Sequence, residues 1–578
     1  MRALASFLVL TACAHGPRRP GDAELRVLRI GDAVAIAMLD RGPSFSARRR
    51  LPGMIHDRWP DTTPEGMAKF DAQLERKAEE LRAIDRASVE GTPAAVVYDL
   101  VAEKLETHRL GRVCRTELWA GITPSHTAWH LGISATAEAQ PVGDEEARLQ
   151  AVERFAALPA LVEARVATLR EGLRRGYSAS RRSALDASKQ LETMLALPPR
   201  RSPFFQPGLR DAELAAPFEK LVRERIVPAL GRYRDFLRDG YAPSARDEEG
   251  VAHNPDGAAC YRARLRANTS LPLDANEVHA LGMRELERTE KDLAALSARS
   301  FGGLGVRELL AKLRDDPRYR HASREAMLEQ ARSALSRAQA AMPRAFGILP
   351  AAAVVIEPIP DYQEKSVANH YLSPSADGRD PGRYRIRLYE AAGHSRSGGE
   401  SIAFHETIPG HHLQISIAMR EGTPPSLSLF PIAAFNEGWA LYAEKLADEL
   451  GLYSGDVDRA GMLSSHAFRA ARLVVDTGLH ALGWTRERSV AFLLERTGAP
   501  RDVAESEIER YLAWPGQATS YMIGYLELRA LREKAERELG PRFDLRAFHD
   551  RVLEYGPLPL PVLRRNVERW IVSAAGRG

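Results

Sequence analysis

The chain has 578 residues, of which 44% are hydrophobic and 27% are charged. This composition is that of an ordinary globular protein and excludes a disordered or collagen-like chain, while the length suffices for several domains or for one large helical enzyme. The 81 basic and 77 acidic residues leave a net charge of only +4, so we expect no nucleic-acid partner.

The first thirteen residues are typical of an export signal. "MRALASFLVLTAC" contains Arg2, a short apolar run and small residues before Cys13, and the run is too short to remain as a membrane-spanning helix. Its last four residues resemble the bacterial lipobox, in which the cysteine is lipidated and becomes the new N-terminus. We therefore expect an exported protein of the bacterial cell envelope, lipid-anchored to a membrane through Cys13 and facing the periplasm or the outer membrane. The alternative is a plain signal peptide or an unprocessed start.

Long helices are predicted for the first half of the chain, after a tether and lead-in segment at residues 14–62. "TPEGMAKFDAQLERKAEELRAID" begins with a capping threonine and a proline, and then repeats apolar residues at helical spacing. We therefore divide the protein into a lipoprotein-type signal peptide (1–13), the tether, an N-terminal helical half (63–250) and a catalytic half (251–578). The boundary near residue 250 is equally compatible with a long surface loop.

A small β-sheet is predicted near residues 352–389. "AVVIEPIP" is a β-branched run bounded by proline, and "RYRIRLYEA" alternates with the two-residue period of a strand. The edge of this sheet, around Ser366 to Pro374, is expected to bind an extended peptide by strand addition. Helical patterns return after the sheet, so the predicted fold class is mainly α.

Two cysteines, Cys114 and Cys260, remain after Cys13. In an oxidising compartment they are able to form one disulfide. Nothing in the sequence indicates whether they are close together.

The stretch "FHETIPGHHLQ" resembles the zinc-protease signature H-E-x-x-H, but the second histidine is displaced. In an unbroken helix His411 would point away from His405, and His412, although on the same face, would lie about 10.5 Å along the axis. Pro409 removes a backbone donor and clashes with the preceding turn, while Gly410 accepts dihedral angles that other residues refuse. The helix must bulge or break there, and if two residues loop out, His411 returns to the face of His405.

A catalytic zinc site needs a third protein ligand and leaves its fourth position open. Glu437 in "FNEGWALYAEKL" is the best candidate, because it precedes an apolar run in which an unpaired acid is costly. Its neighbour Gly438 would let a second helix approach closely. Glu444, seven residues further on, is the alternative.

Glu406, beside the first ligand, is the candidate general base. It is expected to take a proton from the water that zinc activates and to pass it to the leaving amine. The oxyanion also needs a donor, and in "PGQATSYMIGYLELRALR" we choose Tyr521 for this role, with Tyr525 in reserve. His480 is a further candidate to face the substrate.

Four stretches, "FHETIPGHHLQ", "NEGWALYAE", "RLVVDTGLHALGWT" and "PGQATSYMIGYLELRALR", resemble the bacterial family of exported proteins called domain of unknown function 885. By similarity, that family is related to helical zinc peptidases of the angiotensin-converting enzyme, oligopeptidase and thermostable carboxypeptidase types. The resemblance implies a zincin-like metallopeptidase fold with a deep channel, a short peptide substrate and one zinc ion at His405, His411 and Glu437, with Glu406 as the base. Those relatives lack the Pro-Gly insertion, so the resemblance alone leaves two candidates, His411 and His412, for the second histidine ligand. Alignment of "GH" in this sequence with the second "GH" of the relatives favours His411.

The sequence thus predicts a zinc-dependent metallopeptidase that hydrolyses short peptides in a recessed channel and uses one Zn²⁺. One alternative is a zinc amidohydrolase acting on a non-peptide or cell-wall amide, and another is a non-catalytic binding lipoprotein. Glu406 favours an enzyme, because a purely structural site has no use for a carboxylate beside its first ligand.

Overall fold

The computed structural model describes residues 20–49, 51, 53–360, 364, 369–375, 380–420 and 422–576. The predicted signal peptide with Cys13, and Ser366 on the predicted sheet edge, lie outside these residues. None of the helices formed by the described residues combines the length and the apolar character that crossing a bilayer requires.

The described residues are mainly helical, as predicted. In chain order the α-helices are α1 Asp22–Asp40, α2 Pro43–Arg49, α3 Pro64–Arg82, α4 Pro93–Gly111, α5 Trp129–Ala139, α6 Glu145–Ala156, α7 Leu158–Arg174, α8 Arg181–Leu195, α9 Gln206–Arg210, α10 Ala212–Leu221, α11 Val227–Asp235, α12 Gly257–Thr269, α13 Ala275–Ser300, α14 Val306–Asp315, α15 Arg324–Ala341, α16 Gly399–Glu406, α17 His411–Ala418, α18 Pro425–Ser428, α19 Ala433–Glu449, α20 Asp456–Ala481, α21 Arg486–Thr497, α22 Arg501–Ala513, α23 Ser520–Leu539, α24 Leu545–Leu553 and α25 Leu560–Ala575.

Local sequence explains where helices begin. Thr63 caps α3, since its hydroxyl oxygen accepts a hydrogen bond from the Gly66 amide at 3.1 Å, and Pro64 occupies the first position, where its missing donor costs nothing. Residues 144–175 repeat apolar residues at helical spacing, but they form two helices, α6 and α7, and not one. Pro159 lies at the start of α7, where a proline is tolerated, whereas the middle of a longer helix would exclude it.

The predicted sheet is present and has three strands, β1 (Val354–Pro358), β2 (His370–Leu372) and β3 (Gly382–Ile386), in the order β1-β3-β2. β3 is parallel to β1 and antiparallel to β2. The residues of β3 alternate between buried and half-buried, so one face of the sheet packs inward while Arg383 and Arg385 on the other face pair with Glu357. Within the described residues, β2 is an edge strand.

Two hydrophobic cores organise the helices. The main core takes buried residues from α1, α3 and α4 together with α13 and later elements, and the second core takes residues between Ile122 and Ala245. We expected residues 14–62 to form a tether, but Val27 and Val34 of α1 are fully buried in the main core. Apolar residues at helical spacing in "AELRVLRIGDAVAIAML" account for this packing.

A disulfide joins Cys114 to Cys260, with their Cα atoms 4.7 Å apart. Cys114 follows α4 and Cys260 lies in α12, and both belong to a small buried cluster that includes Trp119 and Tyr261. The residues of the second core therefore lie inside the covalent loop that the disulfide closes.

α19 and α23 cross at a direct backbone contact. A Cβ added to Gly524 of α23 would lie 1.7 Å from the carbonyl oxygen of Ala434, and one added to Gly438 of α19 would lie 2.4 Å from the carbonyl carbon of Gly524. Glycine is therefore required on both helices. The crossing therefore places Gly438, the residue after Glu437, directly against Gly524 and Tyr525 of α23.

We expect Gly524→Ala to lower the free energy of unfolding by about 1–3 kcal/mol, because the added methyl group has no space between the two helices. Gly132 in α5 is a matched control, since it is exposed and no atom lies within 4 Å of an added Cβ. Gly132→Ala is expected to be neutral or slightly stabilising. Denaturant titrations followed by circular dichroism measure both, and equal midpoints would contradict the tight crossing.

Candidate metal centre

The helix that carries His405 breaks at the Pro-Gly pair. α16 ends at Glu406 and α17 begins at His411. The amide of Gly410 donates to the carbonyl oxygen of Phe404 at 3.0 Å, and a Cβ on Gly410 would lie 2.0 Å from the carbonyl oxygen of His405. The loop folds back so closely on the end of α16 that only glycine fits there.

The break brings His411 to His405. Their ring centroids are 4.8 Å apart, although six residues separate them along the chain. The carbonyl oxygen of Pro409 accepts a hydrogen bond from the indole of Trp439 at 2.9 Å, which holds the loop against α19. The geometry is the one that looping out two residues predicts.

Glu437 of α19 completes a set of three possible metal ligands. Its Oε2 lies 3.7 Å from Nε2 of His405 and 3.6 Å from Nε2 of His411, and one ligand atom from each of the three residues lies within 4.8 Å of the others. The two distances from Glu437 are longer than a hydrogen bond. They are slightly longer than the about 3.3 Å expected between two ligand atoms of a tetrahedral zinc ion. Two imidazoles and one carboxylate are a donor set that zinc accepts, so the residues fit this ion after a small closure.

His412 points away from this set. Its Nε2 lies 2.9 Å from the carbonyl oxygen of Ala352 and its Nδ1 lies 2.9 Å from the hydroxyl of Tyr371. The side chain is buried, and burial lowers the pKa of His412 to about 4. The geometry therefore favours His411 over His412 as the second histidine ligand.

Glu444, the alternative third ligand, contacts the other nitrogen of His405. Its Oε1 lies 2.8 Å from Nδ1 of His405, and its Oε2 accepts hydrogen bonds from the hydroxyls of Ser401 and Ser465. A proton on Nδ1 leaves the lone pair of Nε2 directed towards Glu437 and His411. The carboxylate thus fixes the ring orientation of His405, as acids that accept a hydrogen bond from a ligand histidine do at metal sites.

The buried acids remain charged because cations surround them. Burial acts to raise the pKa of Glu444, but Arg469 and His405 outweigh it and lower this pKa to about 2. Burial likewise acts to lower the pKa of His405, yet Glu437 and Glu444 raise it to about 9. Since a cation at Nε2 must displace the proton held there, metal affinity at this site is expected to increase with pH.

Glu406 lies next to His405 but outside the three-residue set. It is partly exposed, and it lies beside the sheet: burial, and after it the charge of Glu406, raise the pKa of Tyr384 in β3. Glu406 also acts to raise the pKa of Tyr371 in β2, again after burial. Glu406 is therefore close enough to both tyrosines for its charge to act on their pKa.

Tyr521 reaches the site and Tyr525 lies beside a different histidine. The ring of Tyr521 is nearly parallel to that of His405, with centroids 6.4 Å apart, and the guanidinium of Arg472 lies 4.3 Å from the Tyr521 centroid. The ring of Tyr525 instead packs edge-on against His466.

The prediction that His480 faces the substrate is wrong. His480 is fully buried, its Nδ1 accepts a hydrogen bond from the amide of Val251 at 3.0 Å, and its Nε2 lies 3.0 Å from the carbonyl oxygen of Tyr511. Both ring nitrogens are occupied by backbone groups, and the residue has a structural role.

Sequence reasoning did not find the roles of Ser401, Ser465 and Tyr371. Ser401 lies three helices before Glu444 in sequence and Ser465 lies in the helix after it, and no motif links them to it. One signal was available for Glu444 itself: it lies two helical turns after Glu437, on the same face of α19.

We expect His411→Ala to lose the metal and His412→Gln to retain about one zinc per chain, because only the former removes an atom of the three-residue set. Elemental analysis of the purified proteins after equilibration with zinc checks this. Metal loss in the His412 variant with retention in the His411 variant would reverse their roles.

Glu444→Gln is expected to weaken zinc binding by about 10- to 100-fold, since the amide keeps the shape of the side chain but loses the charge that orients His405. Competition with a chromogenic chelator measures the dissociation constant. Glu449→Gln, at the end of the same helix, is the control and should bind zinc as the wild type does. An unchanged affinity for Glu444→Gln would remove the orienting role.

Comparisons with known proteins agree on one family and one fold. Residues 45–567 match the family described as "Bacterial protein of unknown function (DUF885)". The crystal structure of a "putative lipoprotein" from Colwellia psychrerythraea is similar, with a TM-score of 0.86 and 25% identity over 95% of this chain and 99% of that chain.

A second structure, described as "a putative lipoprotein of unknown function" from Shewanella oneidensis, has a TM-score of 0.72 and 18% identity over 93% of this chain and 99% of that chain, and it supports the fold alone. Curated proteins give no match. Because the family match covers most of the sequence, this chain belongs to the DUF885 family of bacterial proteins of unknown function.

Proposed function

We propose that this protein is a zinc-dependent metallopeptidase that hydrolyses the peptide bonds of short peptides in a recessed channel. One observation carries the proposal: His405, His411 and Glu437 converge within 4.8 Å, while the carboxylate of Glu406, adjacent in sequence, stays outside the set. A structural zinc site closes all four positions with protein ligands, whereas a catalytic site has three.

Zinc would be held by Nε2 of His405, Nε2 of His411 and the carboxylate of Glu437. When bound, it would polarise the substrate carbonyl and lower the pKa of water in the site towards neutrality. Glu444 supports this arrangement, because its contact with Nδ1 keeps one proton there and leaves Nε2 as the nitrogen that would bind the ion once its own proton is displaced.

Glu406 would act as the general base. It accepts a proton from water at its carboxylate and passes the proton to the nitrogen of the leaving amine. Glu406 is partly exposed, so its carboxylate can contact both water and substrate. Glu444 is fully buried and cannot contact either.

Tyr521 would donate its phenolic hydrogen to the substrate carbonyl oxygen as negative charge develops there. The ring is held by its packing beside His405 and by the guanidinium of Arg472 over its face. This support limits the motion of the hydroxyl, so little reorganisation is needed during the reaction.

The proposed substrate is an extended peptide that adds to β2, which is an edge strand among the described residues. The backbone of an added strand pairs with the edge, and its side chains alternate between the two faces. The recessed channel is part of this proposal, and the partly exposed side chains of Glu437 and Tyr521 would line its floor.

Export and lipid anchoring complete the proposal. The pattern before Cys13 supports them, as does the similar structure that is described as a "putative lipoprotein". The Cys114–Cys260 disulfide is also typical of proteins that mature in an oxidising compartment.

Glu406→Gln is expected to lower kcat by about 10²- to 10⁴-fold on any peptide that the wild type cleaves, because the amide cannot accept the proton. Zinc content should stay at about one ion per chain. A fluorogenic peptide library identifies substrates, and elemental analysis runs in parallel on the same preparations.

The matched control is Glu329→Gln, an exposed residue of α15, which should leave kcat unchanged. Full activity of Glu406→Gln would refute the base assignment. A wild-type protein that binds zinc and cleaves cell-wall amides but no peptide would instead be an amidohydrolase with the same centre.

A further inference from the structure

His412 contacts β2, the first residue of β3 and the segment that leads into β1. Its Nε2 lies 2.9 Å from the carbonyl oxygen of Ala352, two residues before β1, and its Nδ1 lies 2.9 Å from the hydroxyl of Tyr371 in β2. At the start of β3, a Cβ on Gly382 would lie 2.5 Å from Nδ1 of His412 and 2.6 Å from the Tyr371 hydroxyl oxygen. The imidazole thus fills the space that the absent side chain of Gly382 leaves.

The partners of His412 determine the direction of both hydrogen bonds. A carbonyl oxygen only accepts, so Nε2 carries the proton and donates to Ala352. Nδ1 of the neutral ring is then an acceptor, and the Tyr371 hydroxyl donates to it. The side chain is 1% exposed, so water does not compete for either bond.

This bridge joins the edge strand to the ligand helix. His412 follows His411 directly in α17, and Tyr371 is paired in register with Tyr384 of β3. The amide of His412 donates to the carbonyl oxygen of Thr407 at 3.0 Å, so the bridge is attached to the residue that follows Glu406. The position of β2 relative to the ligands and the base therefore depends on the bridge at His412.

We infer that His412 is a positioning residue that holds β2 at a fixed register against Glu406, so that a peptide paired with this strand presents its scissile bond to the base. The inference rests on the proposed peptidase function. It gives the second histidine of the "GHH" sequence a role distinct from metal binding: one histidine holds the ion and the next holds the surface on which the substrate lies.

Tyr371→Phe is the most conservative substitution that tests this inference, because it removes one hydroxyl and leaves the ring. We expect KM for a cleaved peptide to rise about three- to tenfold, which corresponds to the loss of one hydrogen bond, while kcat stays within about twofold and zinc content is unchanged. His412→Leu, which removes both bonds, should raise KM further. His412→Gln offers a donor and an acceptor at similar spacing and should restore part of the loss.

Tyr98→Phe in α4, far from the sheet in sequence, is the matched control and should leave KM unchanged. A fall in kcat together with zinc loss in Tyr371→Phe would overturn the inference, since it would mean that the bridge supports the ligands and not the strand. An unchanged KM in both Tyr371→Phe and His412→Leu would also overturn it.

A second readout does not depend on activity. Amide hydrogen exchange by mass spectrometry on the zinc-loaded protein should be faster in β2 and β3 of Tyr371→Phe and His412→Leu, and unchanged in α16. Exchange equal to the wild type would overturn the bridge. If the wild type cleaves no peptide, the proposed function fails, and the exchange result still decides whether His412 holds the strands.

Discussion

The contact between Gly410 and the carbonyl oxygens of Phe404 and His405 is the constraint on which the rest of the site depends. A side chain at this position would collide with the end of α16. The backbone could then not form the tight turn that places His411 beside His405. The position of α19 depends on the same turn, because Trp439 donates to the carbonyl oxygen of Pro409. The break between α16 and α17 thus determines where α19 packs and where Glu437 and Glu444 lie.

The cost of burying charge is met by neighbouring groups of opposite sign. Glu437 and Glu444 lie on one face of α19, and both would be strongly destabilising if unpaired. Glu444 contacts two serine hydroxyls, His405 and Arg469. The distances from Glu437 to His405 and His411 are longer than a hydrogen bond. The less satisfied acid is the one directed at the proposed metal, which is the pattern expected of a preorganised site.

Apolar periodicity sufficed to predict helices such as α3, and the Pro-Gly pair sufficed to predict that the helix through His405 would break. The choice between His411 and His412 depends on the backbone angles of Thr407 and Gly410, which no local pattern encodes. Whether Glu444 lies near the proposed ion or near Nδ1 of His405 depends on how far along their axes α16 and α19 cross. The packing of α1 was missed for the same reason, since its partners are distant: Asp32 accepts from the amide of Ser426.

The disulfide has a consequence for the architecture as a whole. With Cα atoms 4.7 Å apart at Cys114 and Cys260, the polypeptide leaves the main body and returns to it at nearly one point, and the helices of the second core are arranged as an insertion between two adjacent ends. Segments attached in this way can change in length or be exchanged while the remainder of the chain keeps its path. The proposed metal ligands all lie in that remainder, so a change confined to this lobe would leave each of them in place in the sequence.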